Sequence, residues 1–228
     1  MNILIFGGLG FIGSNFVNWC SAHRPNWRIK VADGFTYAAD KSRIRNPMAL
    51  EIREARLENP ESYLDLMKWS DLVVNFAAET HNDNSLDDPE PFMKSNVIGV
   101  LALLQATRDS QTKLIQVSTD EVYGDFPLGS KKSAHEDYPF RPSSPYSATK
   151  AAADLMVMAW VRSFGIEAIV SHCTNNFGPG QHREKLIPTI LRSIEEGLPI
   201  RLYGHGQHER DWLHVDDHSS AIALLIEE

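Results

Sequence analysis

The chain begins Met1 and then reads Asn2-Ile3-Leu4-Ile5-Phe6-Gly7-Gly8-Leu9-Gly10-Phe11-Ile12-Gly13-Ser14. An apolar run leads into closely spaced glycines, and a helical pattern follows. The glycines satisfy Gly-x-x-Gly-x-x-Gly through Gly7, Gly10 and Gly13, and Gly-x-Gly-x-x-Gly through Gly8, Gly10 and Gly13. Such a loop turns tightly and lets backbone approach a diphosphate. The helix N-terminus beyond it offers free N–H groups and a partial positive charge. Asp33 follows Gly13 by 20 residues, at the end of a second apolar run. A carboxylate there hydrogen-bonds ribose hydroxyls and repels a 2′-phosphate, which favours NAD over NADP.

Working outward, apolar runs at 2–6, 28–32, 72–76, 114–118 and 166–171 read as strands. Helical patterns lie near 11–22, 61–68, 91–108, 146–164 and 184–196. Strands alternating with helices predict an α/β fold, a Rossmann-type doubly wound parallel sheet covered on both faces. The strands are apolar without clear alternation, as strands buried on both sides are. After Phe177 glycine and proline crowd in, so the expected division is a nucleotide-binding domain over 1–176 and a partial substrate lobe over 177–228. The last segment, 216–228, starts like a helix capped by an Asp.

Composition narrows the function classes. With 43% hydrophobic and 23% charged residues, the chain suits a globular core and excludes a disordered or collagen-like protein. No apolar run reaches the roughly 18–20 residues of a membrane span. Met1 runs directly into the first strand, without the basic flank or cleavage site of a leader. The net charge of −8 argues against a nucleic-acid partner. Cys20 and Cys173 form no Cys-x-x-Cys pair, which suits a reducing, cytoplasmic setting. His205 and His208 lack an obvious third ligand, so no metal is expected.

Tyr146-Ser-Ala-Thr-Lys150 places a phenol and an ammonium one turn apart on a helix face. Lys150 can lower the phenol's pKa by its charge, which makes the phenol a base for a sugar hydroxyl. Thr119-Asp120-Glu121 ends the predicted strand at 114–118, at the sheet edge where open parallel sheets bind ligands. Two neighbouring carboxyls can divide into an acid and a base when burial or repulsion raises one pKa.

These motifs resemble the extended short-chain dehydrogenase/reductase family, which includes NAD-dependent epimerases and dehydratases. Within it the likeness is to the branch of nucleotide-sugar 4,6-dehydratases that act on dTDP-glucose. It rests on Gly7–Ser14, Phe35-Thr36-Tyr37-Ala38, Ala77-Ala78-Glu79-Thr80-His81 and Ser118-Thr119-Asp120-Glu121-Val122-Tyr123-Gly124. It continues through Tyr146–Lys150, Asn175-Asn176-Phe177-Gly178-Pro179, Glu184-Lys185-Leu186-Ile187-Pro188 and Arg210-Asp211-Trp212. The resemblance implies that Tyr146, tuned by Lys150, takes the C4 hydroxyl proton while Thr119 hydrogen-bonds that oxygen. Glu121 then removes the C5 proton, protonated Asp120 donates to the departing C6 hydroxyl, and hydride returns to C6. The product is a 4-keto-6-deoxy sugar nucleotide. Epimerases of the family need no such acid pair.

The resemblance places cofactor contacts on Gly7, Gly10, Phe11, Ile12, Gly13, Asp33, Gly34, Phe35, Thr36, Ala77, Ala78, Glu79, Thr80, Tyr146, Lys150 and Asn176. It places sugar-nucleotide contacts on Thr80, Thr119, Asn175, Lys185, Leu186, Tyr203 and Arg210, with Arg210 as a diphosphate clamp. It also implies a homodimer through a four-helix bundle built from the helices near 91–108 and 146–164. Two stretches depart from the family pattern. Ala55-Arg56-Leu57 stands where an Asp usually meets adenine, and His81-Asn82-Asp83-Asn84-Ser85 lacks a usual arginine. Family members also continue past this sequence's last residue to complete the substrate lobe. The alternatives are therefore another nucleotide-sugar epimerase or dehydratase, such as one for UDP-glucose, or an NAD-binding protein with impaired catalysis.

Overall fold

The computed structural model describes residues 1–200 and 205–228. It opens with β1 (Asn2–Phe6), α1 (Phe11–His23), β2 (Arg28–Asp33), β3 (Glu51–Glu54), α2 (Leu64–Trp69) and β4 (Leu72–Asn75). Then α3 (Asn82–Asp87) and α4 (Glu90–Phe92) lead through a π-helical turn, Met93–Gly99, into α5 (Val100–Ser110). The remainder is β5 (Lys113–Thr119), α6 (Pro145–Phe164), β6 (Ala168–Cys173), β7 (Asn175–Phe177), α7 (Leu186–Glu196), β8 (Trp212–His214) and α8 (Val215–Glu227).

Six parallel strands pair in the order β3-β2-β1-β4-β5-β6. The order reverses between β1 and β4, and ligands of such sheets bind in the crevice that this reversal opens. Alternate residues of a strand face opposite sides. On one side Leu4 and Phe6 of β1 pack with Leu66 of α2, Leu103 and Leu104 of α5 and Val157 of α6. On the other, Ile3 and Ile5 pack with Phe16 and Val17 of α1 and Ile222 of α8. These β1 side chains are fully buried, each stabilising the fold by about 1.5–3 kcal/mol. Burial on both faces explains why β1 reads as an unbroken apolar run.

Local chemistry fixes α6, which carries Tyr146 and Lys150. Ser144 caps its N-terminus in a reciprocal box with Ser147, and Pro145 occupies the first turn. Both preferences follow from the unpaired N–H groups at a helix start. Gly165, at φ 68°, ends the helix.

Three expectations need correction. The strand β3 was missed because it reads Glu-Ile-Arg-Glu. It lies at the sheet's edge, pairs only with β2, and its charges meet Lys30 and Asp65. α8 begins at Val215, capped by the His214 imidazole, which accepts the Asp216 N–H at 3.3 Å. An Asp does not cap it. Finally, the boundary at 176/177 is crossed: α8 packs on α1, and Ile222 and Ala223 belong to the core of the first domain. The helix's apolar face returns the chain's last turns to the sheet. β7 and β8 form a separate two-stranded parallel ribbon.

Candidate active site

The glycine loop joins β1 to α1. Gly7 adopts φ 71°, and a Cβ there would lie 2.6 Å from the Ala77 nitrogen. A Cβ on Gly13 would lie 2.2 Å from the Gly7 carbonyl oxygen. The loop is thus pressed against the exit of β4. Gly10 caps α1 without a side-chain hydrogen bond. The first-turn amides of Phe11, Ile12 and Gly13 have no partner within the helix. Asp33, at the end of β2, is buried and accepts the Leu9 and Phe35 N–H groups, each at 2.9 Å. Burial pushes its carboxyl above the usual range, and the two amides oppose that shift.

A cleft of about 170 Å³ brings together Gly7, Gly10, Asp33, Gly34, Thr36, Ala77, Ala78 and Glu79, all expected cofactor contacts. Arg56, Glu58 and Lys94 line it too. Phe35 turns the other way: at φ 47° it packs against the α1-side core, with the Lys41 ammonium 4.6 Å from its ring. The Ala77–Thr80 stretch is pinned by Asn96, a residue of the π-helical turn. Asn96 accepts the Glu79 N–H at 2.9 Å and donates to the Glu79 carbonyl and to the Thr149 hydroxyl, both at 3.0 Å. Insertions of this kind cluster at functional sites. The sequence signal was a lone Asn in an apolar helix, and it was overlooked. The dinucleotide fit is physical: a Cβ at Gly7 or Gly13 would collide with neighbouring backbone and force open the tight turn that a diphosphate needs.

Next to this cleft, β5 ends in Thr119, and Asp120-Glu121 start a short 3-10 turn. The Thr119 hydroxyl donates to Asp120 Oδ1 at 3.3 Å and accepts the Glu121 N–H at 3.3 Å. Tyr146 is buried, and the Thr119 hydroxyl offsets a small part of what burial does to its phenol. α6 packs against the turn that carries Asp120 and Glu121, and the charges of both reach the Tyr146 hydroxyl. Burial, then the Glu121 charge, pushes the phenol far above its ordinary range. Burial, then Glu121, also pushes the Asp120 carboxyl up. Lys150 is buried and donates to the Val117 carbonyl at 2.8 Å, and burial pulls its ammonium down.

Glu121 Oε2 accepts a hydrogen bond from the Asn82 amide at 2.8 Å. Asn82 starts α3, in one of the two stretches that depart from the family pattern. It is a contact that sequence reasoning did not foresee. Lys185 donates to the Thr80 carbonyl at 3.2 Å and feels the Glu121 charge. Leu186 follows it, half exposed at the start of α7. Arg210 donates to the Glu209 carbonyl and its charge reaches Asp120. Asn175 of β7 donates to the Asp211 carbonyl at 3.4 Å. The Asn176 amide is engaged within the chain, donating to the Thr174 carbonyl and paired with His218 at 2.9 Å. Tyr203 lies outside the described residues.

The profile of the NAD dependent epimerase/dehydratase family matches residues 3–228. The dTDP-glucose 4,6-dehydratase of Mycolicibacterium smegmatis is 49% identical over 99% of this chain and 69% of its own length. The Mycobacterium tuberculosis enzyme of the same name is 45% identical over 100% of this chain and 69% of its own. Among solved structures, the dTDP-glucose 4,6-dehydratase of Streptomyces venezuelae, crystallised with NAD bound, superposes with a TM-score of 0.95. It is 36% identical, and the match covers 100% of this chain and 72% of that one. With a tight glycine loop, a buried Asp at the end of β2 and a phenol on the helix beside an acid pair already in place, the chain belongs to the NAD dependent epimerase/dehydratase family.

Proposed function

We propose that the chain dehydrates dTDP-glucose to the 4-keto-6-deoxy sugar nucleotide, as an NAD-dependent hydro-lyase. The meeting of Tyr146 with the Thr119-Asp120-Glu121 corner carries this reading. An epimerase needs only oxidation and reduction at C4, and the acid pair would then have no task. Bound NAD supplies a store for hydride, taken from sugar C4 and returned to C6. Gly7, Gly10 and the first turn of α1 would hold its diphosphate, and Asp33 its ribose.

The chain's own groups move the protons. Tyr146 accepts the C4 hydroxyl proton, and Thr119 orients that oxygen. Lys150, one turn along α6, is the cation assigned to favour the phenolate when cofactor and substrate are bound. Glu121, oriented by Asn82, takes the C5 proton, which the C4 ketone has made acidic. Asp120, biased toward its protonated form by burial and by the Glu121 charge, gives its proton to the C6 oxygen, so water leaves. Glu121 then returns its proton to C5. Lys185 and Arg210 are cations suited to the diphosphate. Residues 178–211, which carry both, are proposed as this chain's part of the substrate lobe.

A homodimer fits the surface. Leu155, Met158, Val161 and Phe164 of α6 and Ile98 beside α5 are exposed, an apolar face suited to a second copy. No helix among the described residues is long and apolar enough to cross a membrane, and both cysteines are free. On these grounds a cytoplasmic enzyme is proposed. Incubation with NAD and dTDP-glucose tests the activity. A 4-keto product, seen by its ultraviolet absorbance in alkali without net NADH, supports it. dTDP-galactose would mean an epimerase, and neither product with NAD retained would mean a binding protein.

A further inference from the structure

One buried carboxylate takes no part in that chemistry. Asp154 lies on α6 one turn beyond Lys150 and is fully buried. Its Oδ2 accepts the Ser118 hydroxyl at 2.6 Å and pairs with His172 Nε2 at 3.0 Å. His172 Nδ1 lies 3.1 Å from the Tyr123 hydroxyl. Ser118 immediately precedes Thr119, and Tyr123 closes the turn that begins at Asp120. One carboxylate thus grips both ends of the Thr119–Glu121 segment, and it does so from the helix that carries Tyr146 and Lys150.

The other oxygen, Oδ1, is buried with no hydrogen-bond partner among the described residues. A buried anion left this way is costly unless a cation is near. Lys150 supplies one, because side chains four apart on a helix are neighbours. The attraction is mutual: burial works against the Lys150 ammonium, and the Asp154 charge works for it.

We propose that Asp154 is a positioning residue for the reaction: it clamps the Thr119–Glu121 segment to α6 and sets its carboxylate one helical turn from Lys150. The proposal rests on the dehydratase reading above. The ionisable groups around the pair are few. Cys173 of β6 faces Lys150, and burial holds its thiol neutral by pushing it up to about 11. Tyr146 shares the helix, with Asp120 and Glu121 across the site from it. His172 of β6 and Tyr123 lie on the far side of Asp154, and Glu136 lies beyond Tyr123.

Asp154→Asn keeps the shape and removes the charge. In full-length protein labelled with 13C-lysine, without substrate or cofactor, the Lys150 signal is assigned through Lys150→Arg and titrated by NMR. Lys150 is expected to lose its proton at lower pH in Asp154→Asn than in the parent; an unchanged midpoint overturns the electrostatic half. With dTDP-glucose and NAD, C4 oxidation is expected to slow about tenfold with KM unchanged, and its acid limb to move about one pH unit upward. The limb moves up because a phenol without its cation needs higher pH to ionise. A coincident pH profile overturns the proposal. If Asp154→Asn does not fold, Ser118→Ala decides. It is expected to leave the Lys150 midpoint in place and slow C5 exchange about tenfold; parental exchange overturns the clamp. A parent chain inert toward dTDP-glucose would sink the functional reading, while the NMR comparison would still judge Asp154.

Discussion

Replacing Gly13 by Ala should damage both the fold and the cofactor site, and the structure gives the size of the damage. The added Cβ would stand 2.2 Å from the Gly7 carbonyl oxygen and 2.9 Å from the Gly8 Cα. Ordinary contacts are roughly 3.5–4 Å, so the loop must retreat by more than about 1 Å. Such overpacking costs about 3 kcal/mol at the upper end. Gly13 lies within α1, so Ala returns about 1 kcal/mol of helix propensity. A net loss of about 2 kcal/mol should lower the melting temperature by about 4–8 °C in a protein of this size. The same retreat moves the amides of the α1 first turn, and NAD affinity should fall by about 10–100-fold. Gly10→Ala separates the two effects. Its Cβ would meet nothing closer than the Gly7 carbonyl oxygen at 3.3 Å, yet it points at the place a diphosphate needs. It should weaken NAD binding while melting within about 1–2 °C of the parent. Differential scanning calorimetry without cofactor and titration calorimetry with NAD read the two quantities. A cofactor-free Gly13→Ala protein that melts with the parent, or a Gly10→Ala protein that melts as low as Gly13→Ala, would refute the reasoning.

Asp120→Asn should stabilise the cofactor-free protein at neutral pH. A raised carboxyl pKa in the fold means that its ionised form opposes folding, an effect present above the folded pKa and absent below the ordinary carboxylate range. Melting curves at neutral and strongly acid pH check this, and the two proteins should converge in acid. Tyr146→Phe should abolish C4 oxidation, read as the absence of reduced-nicotinamide absorbance on adding dTDP-glucose. Glu121→Gln should leave that absorbance visible and stop C5 exchange with deuterated solvent; exchange at the parental rate would remove Glu121 from its role. Asn82→Ala deletes the 2.8 Å hydrogen bond to Glu121, worth about 1.5 kcal/mol, and should slow C5 exchange about tenfold while C4 oxidation stays within about twofold.

The sheet's interior was legible because a strand buried on both faces has little choice of residue. β1, β4 and β5 each announce themselves as an apolar run, and the glycine loop follows from the turn it must make. The edge was not legible, since β3 needs only one neighbour and its charges read as loop. The local pairs of the site, Gly7–Gly13 and Tyr146–Lys150, lie within one turn or one helix, where spacing alone carries the geometry. Asn82, Asn96 and Asp154 were invisible for the opposite reason. Their partners Glu121, Thr149 and Ser118 lie 39, 53 and 36 residues away, and only the closed sheet brings them together. For Asn96 and Asp154 a polar residue among apolar neighbours is the trace, whereas Asn82 sits in the polar helix Asn82–Asp87 and leaves none.

The chemistry needs two adjacent carboxyls to differ, and the surroundings supply the difference. The largest influences on Asp120, burial and the Glu121 charge, both favour its proton. The Arg210 guanidinium pulls the other way and is the weakest of the influences on Asp120. Glu121 receives an amide from Asn82 and faces the Lys185 ammonium, donors suited to an anion. The proposed acid and base therefore stand one residue apart on the same turn. The sheet decides where the carboxyls stand; burial and the neighbouring charge bias Asp120 toward its proton, while the start of α3 supplies Glu121 with a hydrogen bond from Asn82.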